Sequence, residues 1–329
     1  MIEGIPYAAR IAVLLTQFCA VTFAFQQSAV GPIQVIPRGL HRAPAAGTAP
    51  TLRVDSSLVL IPVHVTTAAG ASVTGLKRED FVLFEDGVKQ TITHFAQGDA
   101  PVSAGLLLDT SGSMKNKMAK ASEAATEFFK FANPEDEFFL VEFNGRASLK
   151  VPFTRDWSEI AADIAGARPS GMTAMLDGIH LAMAQMKHAR NRRKALIVLS
   201  DGGDNFSRRN LRELKAALIE SDVQVYAMGI FDRDYAMKHT PEERNGPQLL
   251  DQVALDTGGR NFPVVSLENL PGIGVQIARE LRNQYVLGFA PATQTADGKF
   301  HRVDLKLAAP DAESELRAYY RQGYYAPGQ

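Results

Sequence analysis

The chain has 329 residues, 46% of them hydrophobic and 22% charged, which is ordinary globular composition and enough for about two domains. With 35 Lys and Arg against 36 Asp and Glu the formal charge is -1, so no long-range field draws the protein toward nucleic acid or an anionic membrane. The single cysteine, Cys19, excludes a disulfide framework, a thiolate zinc site and, once residues 1–27 are removed, a cysteine nucleophile.

The first element is Arg10 followed by the apolar stretch Ile11 to Phe25, with small residues around Thr22-Phe23-Ala24 and polar Gln26-Gln27-Ser28 after it. It is shorter than a spanning helix and has the size of a secretory apolar segment. Residues 1–27 are therefore read as a signal peptide and the protein as extracytoplasmic, periplasmic or secreted, with an uncleaved membrane anchor as the alternative. Thr16-Gln17-Phe18 before Cys19 does not resemble a lipoprotein box. Residues 28–57, rich in Pro, Ala and Gly, read as a flexible linker.

From Leu58 the pattern is β. Val59, Ile61, Val63 and Val65 share one face and His64 lies on the other; Phe81 to Phe84, the turn Glu85-Asp86-Gly87 and Val88 to Phe95 make a hairpin signature. Beyond Ala100, apolar strands at Val102–Leu108, Glu137–Phe143, Ser148–Phe153, Ala195–Leu199, Val223–Ile230 and Asn261–Val265 alternate with helical patterns. Those helices are marked by Met118 to Ala132, Leu176 to Met186, Leu211 to Leu218 and Ile273 to Leu281. Such alternation predicts an α/β fold, a doubly wound and mostly parallel sheet covered on both faces.

The basic run Arg190-Asn191-Arg192-Arg193-Lys194, between a helix and a strand, reads as a solvated helix end. After Asn283 the chain returns to strands at Tyr285–Phe289, Phe300–Leu307 and Leu316–Tyr320, with a turn at Asp297-Gly298. Two flanking β segments, 58–99 and 285–326, are each too small to bury a core, which favours one smaller all-β sandwich with the α/β domain, 100–284, inserted in it. Two independent β appendages are the alternative.

The chemistry concentrates at three strand and helix ends. Leu106-Leu107-Leu108 runs into Asp109, Ser111 and Ser113; Thr173 sits in Ser170-Gly171-Met172-Thr173 before a helix; and Asp201 follows Ala195 to Ser200. Gly112 and Gly171 are expected to permit tight backbone paths beside these hydroxyls. Taken singly, each segment reads as a turn or a cap. Together, in this order, Asp109, Ser111, Ser113, Thr173 and Asp201 resemble the metal-ion-dependent adhesion site of a von Willebrand factor type A domain, and residues 101–284 resemble such a domain as a whole.

The flanks resemble a group of exported A-domain proteins prominent in Acidobacteria, through Val73-Thr74-Gly75-Leu76, Phe81 and Glu85-Asp86-Gly87 before the domain. Gln284-Tyr285-Val286-Leu287-Gly288 and Gly323-Tyr324-Tyr325 carry the likeness after it.

The resemblance implies a Rossmann-like fold and a bound Mg²⁺, or Ca²⁺ or Mn²⁺, held by those five residues, with an Asp or Glu from a partner protein as a further ligand. Two carboxylates and three neutral hydroxyls suit a hard cation that needs about six oxygens. Asp204 and Asn205 read as caps of a helix beginning near Ser207, with a second cation site as the alternative.

The leading reading is an exported protein-binding module, of adhesion or scaffold type, and not an enzyme. A metal-dependent hydrolase and a structural envelope protein with a fold-stabilising cation compete with it. Against the hydrolase, the chain lacks a Gly-x-Ser-x-Gly elbow, a His-Glu-x-x-His helix and a P-loop lysine, and His180, the nearest histidine, reads as a helix-surface residue. The missing P-loop and the export signal also argue against service to an AAA+ motor, as in magnesium chelatase.

Overall fold

A computed structural model describes residues 58–201, 203–231, 243–291, 297–308 and 315–327. The segments read from the sequence as a signal peptide (1–27) and a linker (28–57) lie outside the described residues. In chain order the strands are β1 (Val59–Thr67), β2 (Phe81–Glu85), β3 (Val88–Gln90) and β4 (His94–Gln97), then β5 (Val102–Asp109). Helix α1 (Met118–Phe129), strands β6 (Glu137–Phe143) and β7 (Ala147–Thr154), and helices α2 (Trp157–Gly166) and α3 (Met175–Met186) follow. Next are β8 (Arg193–Ser200), α4 (Leu211–Glu220), β9 (Val223–Ile230), α5 (Gly246–Asp256), β10 (Asn261–Val264) and α6 (Leu270–Arg282). Strands β11 (Tyr285–Phe289), β12 (Phe300–Leu307), β13 (Leu316–Tyr320) and β14 (Gly323–Tyr325) close the chain.

The central sheet has the order β10-β9-β8-β5-β6-β7, parallel except for the antiparallel edge strand β7. Its middle strands are buried on both faces, which is why they read as unbroken apolar runs. Along β5, Val102, Ala104, Leu106 and Leu108 pack with Ala121, Phe128 and Ile277 of α1 and α6, while Leu107 packs on the other face with Met175, Ile179 and Val253 of α3 and α5. Gly274 lets α6 lie tight on α1: a Cβ there would stand 2.4 Å from the Ala124 carbonyl oxygen.

Helices α2 and α5 were not expected from the sequence. Signals for both exist: Trp157, Ile160 and Ile164 fall on one face behind an Asp156 cap that accepts the Ser158 amide, and Pro247 opens α5 ahead of Leu250 and Val253.

The flanking strands interleave. One antiparallel sheet has the order β13-β1-β11-β4 and the other β14-β12-β2-β3, so each sheet takes two strands from before the α/β unit and two from after it. Ile61, Val63, Leu83, Leu287 and Phe289 fill the space between the two sheets. The Asp86-Gly87 turn has positive φ at both residues, 49° and 81°, which suits the twist of a two-residue hairpin.

One expectation needs correction here. The second arm of the hairpin is not one strand: Val88–Gln90 stays with β2, and His94–Gln97 crosses to the opposite sheet beside β11. His64 lies on the other face of β1 from Val59, Ile61, Val63 and Val65, as expected, and it is fully buried there beside Glu280 of α6.

Candidate metal centre

Strand β5 delivers Asp109 to the carboxyl end of the parallel sheet, where ligands of open α/β sheets collect. Its neighbour β8 ends at Ser200, and Leu108 pairs with Leu199, so Asp109 and Asp201 leave adjacent strands side by side. Asp109 has no solvent exposure and Asp201 is 2% exposed. One Asp109 oxygen accepts the Ser111 backbone N–H at 2.8 Å and the other accepts the Ser200 hydroxyl at 2.6 Å. Burial first, and then the charge of Asp201, push the Asp109 carboxyl up to about 6, against the pull of the serine hydrogen bonds.

Ser111 and Ser113 bring their hydroxyl oxygens to 3.0 Å from each other, Ser111 buried and Ser113 exposed at the mouth of the site. The Thr173 loop is tied to this turn by two backbone bonds, Gly112 N–H to the Gly171 carbonyl at 3.0 Å and Ser170 N–H to the Thr110 carbonyl at 2.8 Å. It is tied to the Asp201 loop through Asn205, whose side-chain oxygen accepts the Thr173 N–H at 2.9 Å and whose own N–H donates to the Thr173 carbonyl at 3.0 Å. Asn144, after β6, holds the fourth corner by accepting the Ala174 N–H at 2.7 Å. The three sequence segments thus converge on one point at the end of β5.

Gly171 has φ of 81°, so a glycine suits that turn, but Gly112 does not need its conformational freedom: its φ is not positive, and a Cβ there would meet the Gly171 oxygen at an ordinary 3.5 Å. Asp204 and Asn205 do not cap the following helix, which starts at Leu211 behind Asn210. Asp204 instead accepts the Met175 N–H at 3.0 Å and the Ser207 hydroxyl at 2.7 Å, so the loop caps the start of α3 from outside. Asp109 caps no helix either; the residue before α1 is Lys117.

Lys117 is the residue that sequence reasoning missed. Its ammonium lies 2.7 Å from an Asp201 oxygen, with the side chain 15% exposed. One ammonium against two buried carboxylates leaves negative charge to balance, with the hydroxyls of Ser111, Ser113 and Ser200 beside them. That donor set fits a hard divalent cation, which Asp109, Ser111, Ser113, Thr173 and Asp201 would hold. Among the described residues no cluster of three or more His, Cys, Asp or Glu could bind a metal, so the two carboxylates depend on the hydroxyls as partners. His180 is half-buried on α3, away from the carboxylates in sequence.

The rim of the site is apolar and basic. Met172, next to Thr173, is 47% exposed, and Phe206, whose N–H donates to the Thr173 carbonyl, is 52% exposed. Lys115, Arg146, Arg208 and Arg209 are exposed on the loops around them.

Residues 105–203 match the family model of the von Willebrand factor type A domain. Over 210 residues the chain is 27% identical to a UPF0353 protein of Mycolicibacterium paratuberculosis, a match that takes in 56% of this chain and 62% of the relative's length. Among solved structures it is similar to the conserved hypothetical protein BatB from Bacteroides thetaiotaomicron, at 20% identity and a TM-score of 0.44 over 54% of this chain and 98% of that one. A von Willebrand factor type A protein from Catenulispora acidiphila aligns at 15% identity and a TM-score of 0.47, over 75% of this chain and 72% of that one.

Proposed function

We propose that the von Willebrand factor type A domain carried by this chain is a protein-binding module. It holds Mg²⁺, or Ca²⁺ or Mn²⁺, on Asp109, Ser111, Ser113, Thr173 and Asp201 and presents the ion to an Asp or Glu of a partner. The observation that carries this reading is the pair of buried carboxylates, Asp109 and Asp201, placed with hydroxyls at the carboxyl end of the sheet. When bound, the cation supplies a Lewis-acidic position that attracts an anionic oxygen.

The chain's own residues do the rest. Ser200 and the Ser111 amide orient Asp109, Asn205 fixes the Thr173 backbone, and the exposed Ser113 leaves the site open on one side. Met172 and Phe206 offer apolar contact beside the ion, and the surrounding Lys and Arg favour an acidic partner surface. The extracytoplasmic location rests on the apolar segment Ile11 to Phe25 alone.

A fold-stabilising role for the cation is the weaker reading, because Lys117 already sets a positive charge against Asp201. Capture of partners from cell-envelope extract, with Mg²⁺ or with chelator, tests the proposal. The wild type is expected to retain a partner only with Mg²⁺, and Asp109→Ala to lose at least about a hundredfold in affinity while its thermal unfolding stays cooperative. Equal capture by the wild type in chelator would overturn the reading, and a chelator-induced loss of the fold would favour the structural one.

A further inference from the structure

At the opposite end of the parallel sheet from Asp109, a cleft of about 600 Å³ separates the start of the strands from the outward face of the sheet β13-β1-β11-β4. Its floor follows from strand alternation. Val59, Ile61 and Val63 point into the sandwich core, so Leu60 and Pro62 point the other way, joined by their cross-strand neighbours Val286 and Ala96. Leu218 and Ile219, from the end of α4, add apolar surface on the facing side.

The walls are charged with one sign. Arg190, Arg192, Arg193, Lys194 and Arg321 line the cleft against a single carboxylate, Asp222, in a chain whose net charge is -1. Two of these cations are already engaged. Arg193 donates to the carbonyls of Gly98 and Leu281, and Arg321 pairs with Asp222 and donates to the Leu60 carbonyl. The side chains of Arg190, Arg192 and Lys194 have no hydrogen-bond or ion-pair partner among the described residues, and the two arginines are exposed. The segment that precedes β1 is no complement for them, since residues 28–57 carry Arg38, Arg42 and Arg53 against Asp55.

We propose that this cleft binds a small amphipathic anion, a molecule with an apolar body and a terminal carboxylate or phosphate. The volume lies within the range of roughly 300–1,000 Å³ typical of small-ligand sites. Leu60, Pro62, Ala96 and Val286 take the apolar body, and the forked guanidinium groups of Arg190 and Arg192 take the anionic head. The basic run, which in the sequence looks like a solvated helix end, thus forms one wall of a second binding site. That site is independent of the metal centre.

Fluorescence of anilinonaphthalene sulfonate, itself an apolar anion, reports the cleft in the full chain. Octanoate and octyl phosphate are expected to displace it, and which of the two competes better identifies the head group; octyl glucoside, octylammonium and inorganic phosphate are expected not to. The triple variant Arg190→Ser, Arg192→Ser, Lys194→Ser should bind octanoate at least about tenfold more weakly with an unchanged melting temperature. Ala96→Asp, at an exposed floor position, should do the same by repulsion. Failure of both octyl anions to displace the dye would overturn the proposal, as would equal binding by the variants, or displacement by a poly-glutamate peptide where the octyl anions fail.

Discussion

The two ends of the parallel sheet treat buried charge in opposite ways. Where the strands finish, Asp109 is held by neutral donors, the Ser200 hydroxyl and the Ser111 backbone N–H, and Asp201 meets the Lys117 ammonium. Where the strands begin, charges close on one another. Arg260 pairs with Glu280 while stacking on Tyr319 and Phe262, Arg282 pairs with Asp136, and Arg321 pairs with Asp222. The first end leaves two buried carboxylates against one ammonium, the excess that the proposed cation would balance. The second uses its charge to hold the sandwich against the α/β domain, since Arg321 and Tyr319 come from one and Asp222, Arg260 and Glu280 from the other.

The largest expected effect comes from breaking the closed end. Glu280→Ala leaves Arg260 buried without its carboxylate and is expected to cost about 3–5 kcal/mol in urea unfolding, the usual consequence of removing one partner of a buried pair. A loss below about 1 kcal/mol would mean that Arg260 reaches solvent, and the contrast between the two ends would weaken.

A second, smaller effect sharpens the comparison through pH. Burial and the Arg260 charge lower His64 to about 4, and burial raises Glu280 to about 7 although Arg260 lies beside it. The folded protein keeps His64 neutral, so the stability it contributes is complete above its unfolded value of 6.5 and is lost as pH falls toward 4. Glu280 acts in reverse. Its contribution is complete below 4.5 and is lost as pH rises through 7.

Between those limits the two slopes oppose each other. Glu280→Gln should therefore leave a protein whose stability, relative to wild type, climbs with pH from 4.5 to 7, and His64→Asn one whose relative stability falls from 4 to 6.5. Each change is expected to amount to about 3 kcal/mol across its window in denaturant titrations at stepped pH. Parallel pH profiles for both variants would show that the two groups do not titrate against each other.

The smallest effect lies at the open end. Lys117→Met removes the ammonium that a cation must displace from Asp201, and Mg²⁺ measured by calorimetry is expected to bind about tenfold more tightly, about 1.4 kcal/mol. An unchanged affinity would make Lys117 a bystander of the site.

The open end was more legible in the sequence than the closed one. Asp109 and Asp201 each terminate an apolar run long enough to be a buried strand, and Thr173 precedes a helix, so local pattern placed all three near an edge of the sheet. Lys117 escaped notice because a lysine near a helix start has no signature until the fold shows which carboxylate it reaches. The loops behind the site were equally hidden: Asp204 and Asn205 follow Asp201 closely and look like caps for the next helix, but they serve α3, which precedes them in the chain. At the closed end His64 appeared only as the polar member of an alternating strand. Its partners Arg260 and Glu280 lie on elements far along the chain, and no periodicity links them.

By itself the sequence determined the alternation of strands and helices, the mostly parallel central sheet and the order of the five oxygen-bearing residues, because these depend on apolar period and on neighbours within a few positions. Only the tertiary structure decided how the two flanks interleave, which face of β1 is covered, where Lys117 points and that the basic run walls a cleft. Those features depend on pairings between distant segments, and the burial that gives a charged side chain its meaning exists only once such segments have met.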